Sequence, residues 1–233
     1  MLHLVDYALL KPYHTLSQLE EGAERAERLG VASLCVNPIY ASHVRPLLKK
    51  VRLCVVVDFP LGAMTTAART ALVSQLAEIA DELDVVAPIG LAKSGMWREV
   101  RRDLAAVVGS AGGRVVKVIT EDPYLTEEER RALCDAAAEA GAHFVKYSTG
   151  FVEEDYARRL GNPPHSTPER AAAIASYIRE RGYRLGVKMA GGIRTREQAR
   201  AILEAIGFGE DPARVRLGTS TPDLLLSPAS PPP

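Results

Sequence analysis

Eight short runs rich in Val, Ile and Leu recur along the 233 residues, and stretches rich in Ala, Leu, Glu and Arg separate them. The apolar runs predict strands over 5–8, 33–36, 53–59, 83–88, 115–120, 144–147, 185–190 and 215–218. The intervening stretches predict helices over 16–29, 66–80, 96–109, 126–140, 167–181 and 195–206, with a short one over 42–49. Strands joined by helices pair in parallel, because a helical crossover returns the chain to the same end of the sheet. Eight such units close into an α/β fold, the (β/α)8 TIM barrel. The competing open, doubly wound sheet normally carries G-x-G-x-x-G after its first strand, and none follows here. One barrel domain is expected over 1–226, with the proline-rich end 227–233 as a frayed, disordered tail.

Punctuation between the runs agrees with that order. Thr126 with Glu129 and Thr195 with Gln198 have capping-box spacing, and Thr167-Pro168 places proline at a first helical position. Gly30, Gly141 and Gly182 follow helical runs and suit left-handed C-caps. The segment 151–166, with Asn162-Pro163-Pro164-His165, reads as an extended loop at the C-terminal end of a strand, the end where barrels build their sites.

Composition removes several function classes. Lys+Arg and Asp+Glu both number 29, so the chain has no net charge and offers nucleic acid no electrostatic footprint. No segment has the length of apolar sequence that a membrane span needs, and residues 1–12 do not resemble a secretory leader, so a soluble cytoplasmic protein is expected. Cys35, Cys54 and Cys134 form an odd set without C-x-x-C and read as free, packed thiols. The five histidines, His3, His14, His43, His143 and His165, lack ligand spacing, so no metal is expected.

Three lysines lie inside the apolar runs: Lys117 in VVKVIT, Lys146 in HFVKYSTG and Lys188 in LGVKMAGG. Burying an ammonium is costly, and lysines that face one cavity are expected to depress one another toward the neutral, nucleophilic amine of Schiff-base chemistry. In a barrel, Asp6 and Asp84 reach the same mouth from their own strands, giving a pocket of three ammonium groups and two carboxylates. Strand parity puts Asp84 with Val86 and Lys188 with Ala190 on the interior face. A competing reading pairs these charges as buried salt bridges without a catalytic duty. Gly191-Gly192 and Gly218-Thr219-Ser220 follow the last two predicted strands, where barrel loops commonly hold a phosphate.

The stretches LLKP at 9–12, CVNP at 35–38, FPLGA at 59–63, DELDVV at 81–86, AKSG at 92–95, VVKVITE at 115–121, VKYSTGF at 145–151 and GVKMAGGIRT at 186–195 carry a specific resemblance. From Asp6 to Ser220 the chain resembles the deoxyribose-phosphate aldolase family, class I aldolases on a (β/α)8 barrel. The resemblance implies Lys146 as the Schiff-base lysine, Lys188 as the lysine that lowers its pKa, and Asp84 as the carboxylate that relays protons through a bound water. Asp6, Lys117, Ser148, Gly191, Gly192, Gly218, Thr219 and Ser220 are the expected substrate-binding residues. The implied reaction cleaves 2-deoxyribose 5-phosphate to glyceraldehyde 3-phosphate and acetaldehyde, without metal or organic cofactor. The implied partners are small aldehydes and sugar phosphates, with a homodimer as the expected assembly. Two departures bear on specificity. Ala8 stands where the family has a threonine, and Tyr147 where it has a small hydroxyl residue. A relative acting on a different sugar, and a barrel that only binds a sugar phosphate, are the alternatives.

Overall fold

Alternate residues of each strand meet two different surroundings, and the sequence sorts itself between them. Val, Leu and Met at one parity pack outward against helices: Val5, Leu34, Val55, Leu83, Val118, Val145, Met189 and Leu217 all belong to one buried apolar cluster. Each such side chain contributes about 1.5–3 kcal/mol by leaving water. The other parity points into the barrel and carries Asp6, Asp84, Lys117, Lys146 and Lys188, all buried.

A computed structural model of the chain describes residues 1–226 and shows a closed, all-parallel barrel in sequential order. Its strands are β1 (Val5–Leu9), β2 (Ser33–Val36), β3 (Arg52–Val57), β4 (Glu82–Val86), β5 (Val115–Ile119), β6 (Phe144–Lys146), β7 (Gly186–Ala190) and β8 (Val215–Thr219). The helices are α1 (Leu16–Leu29), α2 (Ala41–Val44), α3 (Thr66–Ala77), α4 (Ile89–Lys93), α5 (Trp97–Gly109), α6 (Glu127–Glu139), α7 (Glu154–Arg159), α8 (Pro168–Glu180) and α9 (Arg196–Ile206). The eight expected strands are present, most with ends shifted by a residue or two. The expected tail 227–233 lies outside the described residues.

Register places the functional parity level around the barrel. Asp84 pairs with Lys117, Lys146 with Lys188, Lys188 with Arg216, and Asp6 with Gly218. Thr126 forms the expected capping box with Glu129, and Thr15 forms another with Gln18. Thr195 accepts from the Gln198 N–H, but the Gln198 side chain turns to Arg194 instead, so that box is half made. The segment 151–166 is not wholly extended. Its charged run forms α7, where Arg158 pairs with Glu154 and Asp155 one turn away.

Candidate active site

A ladder of alternating charge fills the barrel axis. At its lower end Arg216 donates to Asp6 at 2.7 Å and to Glu82 at 2.9 Å. Lys117 lies above, 2.5 Å from Glu82, 3.1 Å from Asp6 and 3.2 Å from Asp84. Lys188 bridges Asp6 at 2.6 Å and Asp84 at 2.7 Å, and Lys146 reaches the same Asp84 Oδ2 at 2.8 Å. These side chains come from β1, β4, β5, β6, β7 and β8, brought together only by closure of the sheet.

Three buried carboxylates, Asp6, Glu82 and Asp84, therefore face four buried basic side chains, Lys117, Lys146, Lys188 and Arg216. The sequence reading missed Glu82 and Arg216. Glu82 shares the parity of Asp84 two residues on, which was the signal available; Arg216 stands between Val215 and Leu217 as the lysines stand in their own strands.

The expectation that the lysines depress one another fails for two of them. Burial pulls Lys117 and Lys188 down, but the carboxylates of Asp6 and Asp84 outweigh it and hold both ammonium groups above the ordinary lysine range. Both are fixed cations. Burial likewise pushes the Asp84 carboxyl up, and Lys117, Lys146 and Lys188 more than reverse it, holding it well below the usual carboxylate range.

Above the ladder opens a cavity of about 400 Å³, with Lys146 and Lys188 at its base. Gly191, Gly192, Gly218, Thr219 and Ser220 line it. Ala8, Lys11, Thr149, Gly150, Phe151 and Arg194 line it too. Gly218 has to be glycine, because a Cβ there would stand 2.8 Å from the Ala190 Cβ and 3.4 Å from the Lys188 Cε. Phe59 lies over Lys146 with its ring centroid 5.7 Å from Nζ, and Phe151 stacks edge-on against Phe59 at 5.2 Å. The two rings shield the amine from bulk water.

Known proteins resemble this chain in sequence and fold. No protein-family model matches the chain. The deoxyribose-phosphate aldolase of Pyrobaculum arsenaticum is 75% identical over 225 residues, covering 97% of this chain and all of the relative. The chain belongs to the deoxyribose-phosphate aldolase family. The enzyme of that name from Dictyoglomus turgidum is 39% identical, covering 93% of this chain and 91% of its own. Among solved structures, an aldolase designated QR15 superposes with a TM-score of 0.82 at 33% identity, over 95% of this chain and 91% of that one. The tetrameric deoxyribose phosphate aldolase from Aeropyrum pernix gives 0.81 at 28% identity, over 97% and 88%.

Within this aldolase fold, three expected substrate contacts fall elsewhere. Asp6 and Lys117 lie wholly beneath the cavity floor, engaged with each other and with Glu82, Lys188 and Arg216. Ser148 is buried behind the wall, its Oγ accepting the Gly150 N–H at 2.9 Å. Thr219 borders the cavity, but its hydroxyl donates to the Ile193 carbonyl at 2.8 Å. Ser220 is exposed there.

The Tyr147 departure does not reach the substrate side. Following Lys146 in the chain, Tyr147 takes the opposite parity, packs in the outer apolar cluster, and donates its hydroxyl to the Pro163 carbonyl at 2.7 Å. Ala8 does line the cavity, presenting a methyl group where the resemblance implies a threonine.

Cys35 and Cys54 pair in register on β2 and β3, next to the charge ladder. Cys54 donates to Asp84 at 3.2 Å and lies 3.6 Å from Lys117; Cys35 lines the cavity 3.7 Å from Lys188. With Asp84 they form the one cluster of potential metal-binding groups among the described residues, which sequence spacing did not reveal. The adjoining fixed ammonium groups of Lys117 and Lys188 oppose a cation at that point. Burial pushes the Cys35 thiol up, yet its hydrogen bond with Cys54 and the Lys188 charge bring it below its ordinary value.

Proposed function

We propose that the chain cleaves 2-deoxyribose 5-phosphate to glyceraldehyde 3-phosphate and acetaldehyde, reversibly, with Lys146 as the covalent nucleophile. The observation that carries this reading is the charge ladder. Its three carboxylates balance the buried cations Lys117, Lys188 and Arg216, so the buried groups of the ladder are neutral when Lys146 is a free amine, with the half-exposed Arg52 touching Glu82 from outside at 3.0 Å, and Lys146 stands at the cavity base. The family relatives carry the name of this reaction.

Lys146 Nζ attacks the C1 aldehyde of the open-chain sugar, and loss of water leaves an iminium. The C3 hydroxyl gives up its proton and the C2–C3 bond breaks. Its electron pair moves to the iminium, forming an enamine and releasing glyceraldehyde 3-phosphate. Protonation at carbon and hydrolysis free acetaldehyde and restore the amine. Asp84, which lies beneath the cavity floor against Lys146 and Lys188, is assigned as the final proton acceptor, reached through water that enters from the cavity, and its basicity depends on how many of the three lysines around it are charged. Lys188 keeps a fixed positive charge beside the reacting nitrogen.

The phosphate is assigned to the glycine-lined end of the cavity, at Gly191, Gly192, Gly218, Thr219 and Ser220, where Arg194 adds a guanidinium. A homodimer in the cytoplasm completes the proposal. Its support for location is three free buried cysteines and, among the described residues, no helix long and apolar enough to cross a membrane. The test is a cleavage assay with 2-deoxyribose 5-phosphate beside 2-deoxyribose and ribose 5-phosphate. The phosphorylated deoxy sugar is expected to lead by kcat/KM, and a preference for either of the others would overturn the substrate assignment.

A further inference from the structure

Glu121 is a buried acid that the steps above leave unused. It follows β5 with a left-handed backbone, φ 52° and ψ 51°, a conformation that a non-glycine residue keeps only where its surroundings hold it. Its neighbours supply that hold. The Thr120 N–H donates to the Lys146 carbonyl and the Asp122 N–H to the Tyr147 carbonyl, both at 2.9 Å.

Between these anchors the turn directs the Glu121 carboxylate at the residues that follow Lys146. Its two oxygens accept the Thr149 N–H at 3.1 and 3.3 Å, and the side chains of Ser148 and Thr149 lie near enough to favour its charged form. The same residues carry the wall onward: Ser148 Oγ accepts the Gly150 N–H at 2.9 Å and Thr149 Oγ1 the Phe151 N–H at 3.0 Å. Thr149, Gly150 and Phe151 line the cavity. One carboxylate thus fixes the start of the wall beside the nucleophile.

Its charge is uncompensated. Among the described residues no cation forms an ion pair with Glu121 within 4.0 Å, and Lys146 is the cation whose field reaches it. Burial raises its carboxyl above the ordinary range. The ladder below is balanced while Lys146 is an amine, whereas an iminium places a lasting positive charge on Lys146 Nζ that Asp6, Glu82 and Asp84 are already too few to match.

We infer that Glu121 is a positioning residue that holds the 148–151 wall of the cavity and supplies the negative charge called for by the iminium on Lys146. This rests on Lys146 being the nucleophile. The experiment compares the full-length wild type with Glu121→Gln, Glu121→Asn and Glu121→Asp. Asn and Asp tolerate a left-handed backbone, which guards against loss of the fold. Each protein is incubated with acetaldehyde at pH 7, reduced with borohydride and mapped by mass spectrometry, and KM is measured for 2-deoxyribose 5-phosphate and for 2-deoxyribose. The two neutral variants are expected to trap at least tenfold less at Lys146, with KM raised more for the phosphorylated sugar, and Asp to recover part of the trapping. Wild-type trapping at Lys146 together with undiminished trapping in Asn and Gln overturns this inference alone. A wild type that is not trapped at Lys146 overturns the nucleophile assignment and the inference with it.

Discussion

Replacing Asp84 by Asn removes one charge from the centre of the ladder and keeps the volume. The carboxylate lies 2.7 Å from Lys188, 2.8 Å from Lys146 and 3.2 Å from Lys117, with no exposure to water. Removing one partner of a buried ion pair typically costs about 3–5 kcal/mol, because the other charge stays buried and uncompensated. Here the loss is softened. Lys117 keeps Glu82 at 2.5 Å and Lys188 keeps Asp6 at 2.6 Å, so the expected loss is near the lower figure, about 3 kcal/mol. The pH dependence has a definite sign. The folded Asp84 carboxyl is held well below its unfolded value of about 3.9, so its contribution is fully present above that value and is lost as pH falls through the folded one. Denaturant unfolding of wild type and Asp84→Asn should therefore give a gap that is constant from about pH 5 to 8 and closes only at strongly acidic pH. A gap below about 1 kcal/mol, or one that closes between pH 6 and 5, would refute the account of the ladder. The variant should also exchange acetaldehyde methyl protons with deuterium far more slowly than wild type.

Other consequences follow from the same geometry. Lys188→Leu should lower kcat by about a hundredfold or more while the barrel remains folded, and a wild-type rate would remove Lys188 from the mechanism. Burial pushes the Asp122 carboxyl up to about 6, against Arg130 and the Thr120 hydrogen bond, so the folded state keeps its proton longer than the unfolded one. That contribution is fully present below about pH 4 and is lost as pH rises to about 6; the wild-type stability measured relative to Asp122→Asn should fall by about 3 kcal/mol over that window, and a flat difference would contradict it. Arg194→Ala should raise KM for 2-deoxyribose 5-phosphate about tenfold and leave 2-deoxyribose nearly unchanged, an equal effect on both placing the phosphate elsewhere. Tyr147→Phe should cost about 1 kcal/mol in denaturant unfolding by freeing the Pro163 carbonyl, with no change in substrate preference.

The barrel was legible because its two periodicities are written separately: Val, Leu and Met mark the outward parity, while Asp84, Lys117, Lys146 and Lys188 interrupt the inward one. Strand parity also separates Lys146 from Tyr147, which is why the phenol faces the helices instead of the cavity. Depth along the barrel was not legible. Asp6 and Lys117 share the inward parity of Lys188, yet they lie beneath the cavity, because closure and strand tilt set each residue's height on the axis. The charge balance escaped for a related reason: Glu82 and Arg216 share the inward parity, but only register across the closed sheet places them against Asp6 and Lys117. The Gly192 position shows the limit of motif reasoning, since a Cβ there would meet the His165 side chain at 2.7 Å, a neighbour that the Gly-Gly pair does not announce.

The central claim is that Lys146 alone among the buried lysines is the covalent nucleophile, while Lys117 and Lys188 are fixed cations. Borohydride reduction of the full-length protein with acetaldehyde, followed by peptide mapping, tests it most directly. The account predicts a single reduced two-carbon adduct, on Lys146. An adduct on Lys188 or Lys117, or none on Lys146, would contradict it.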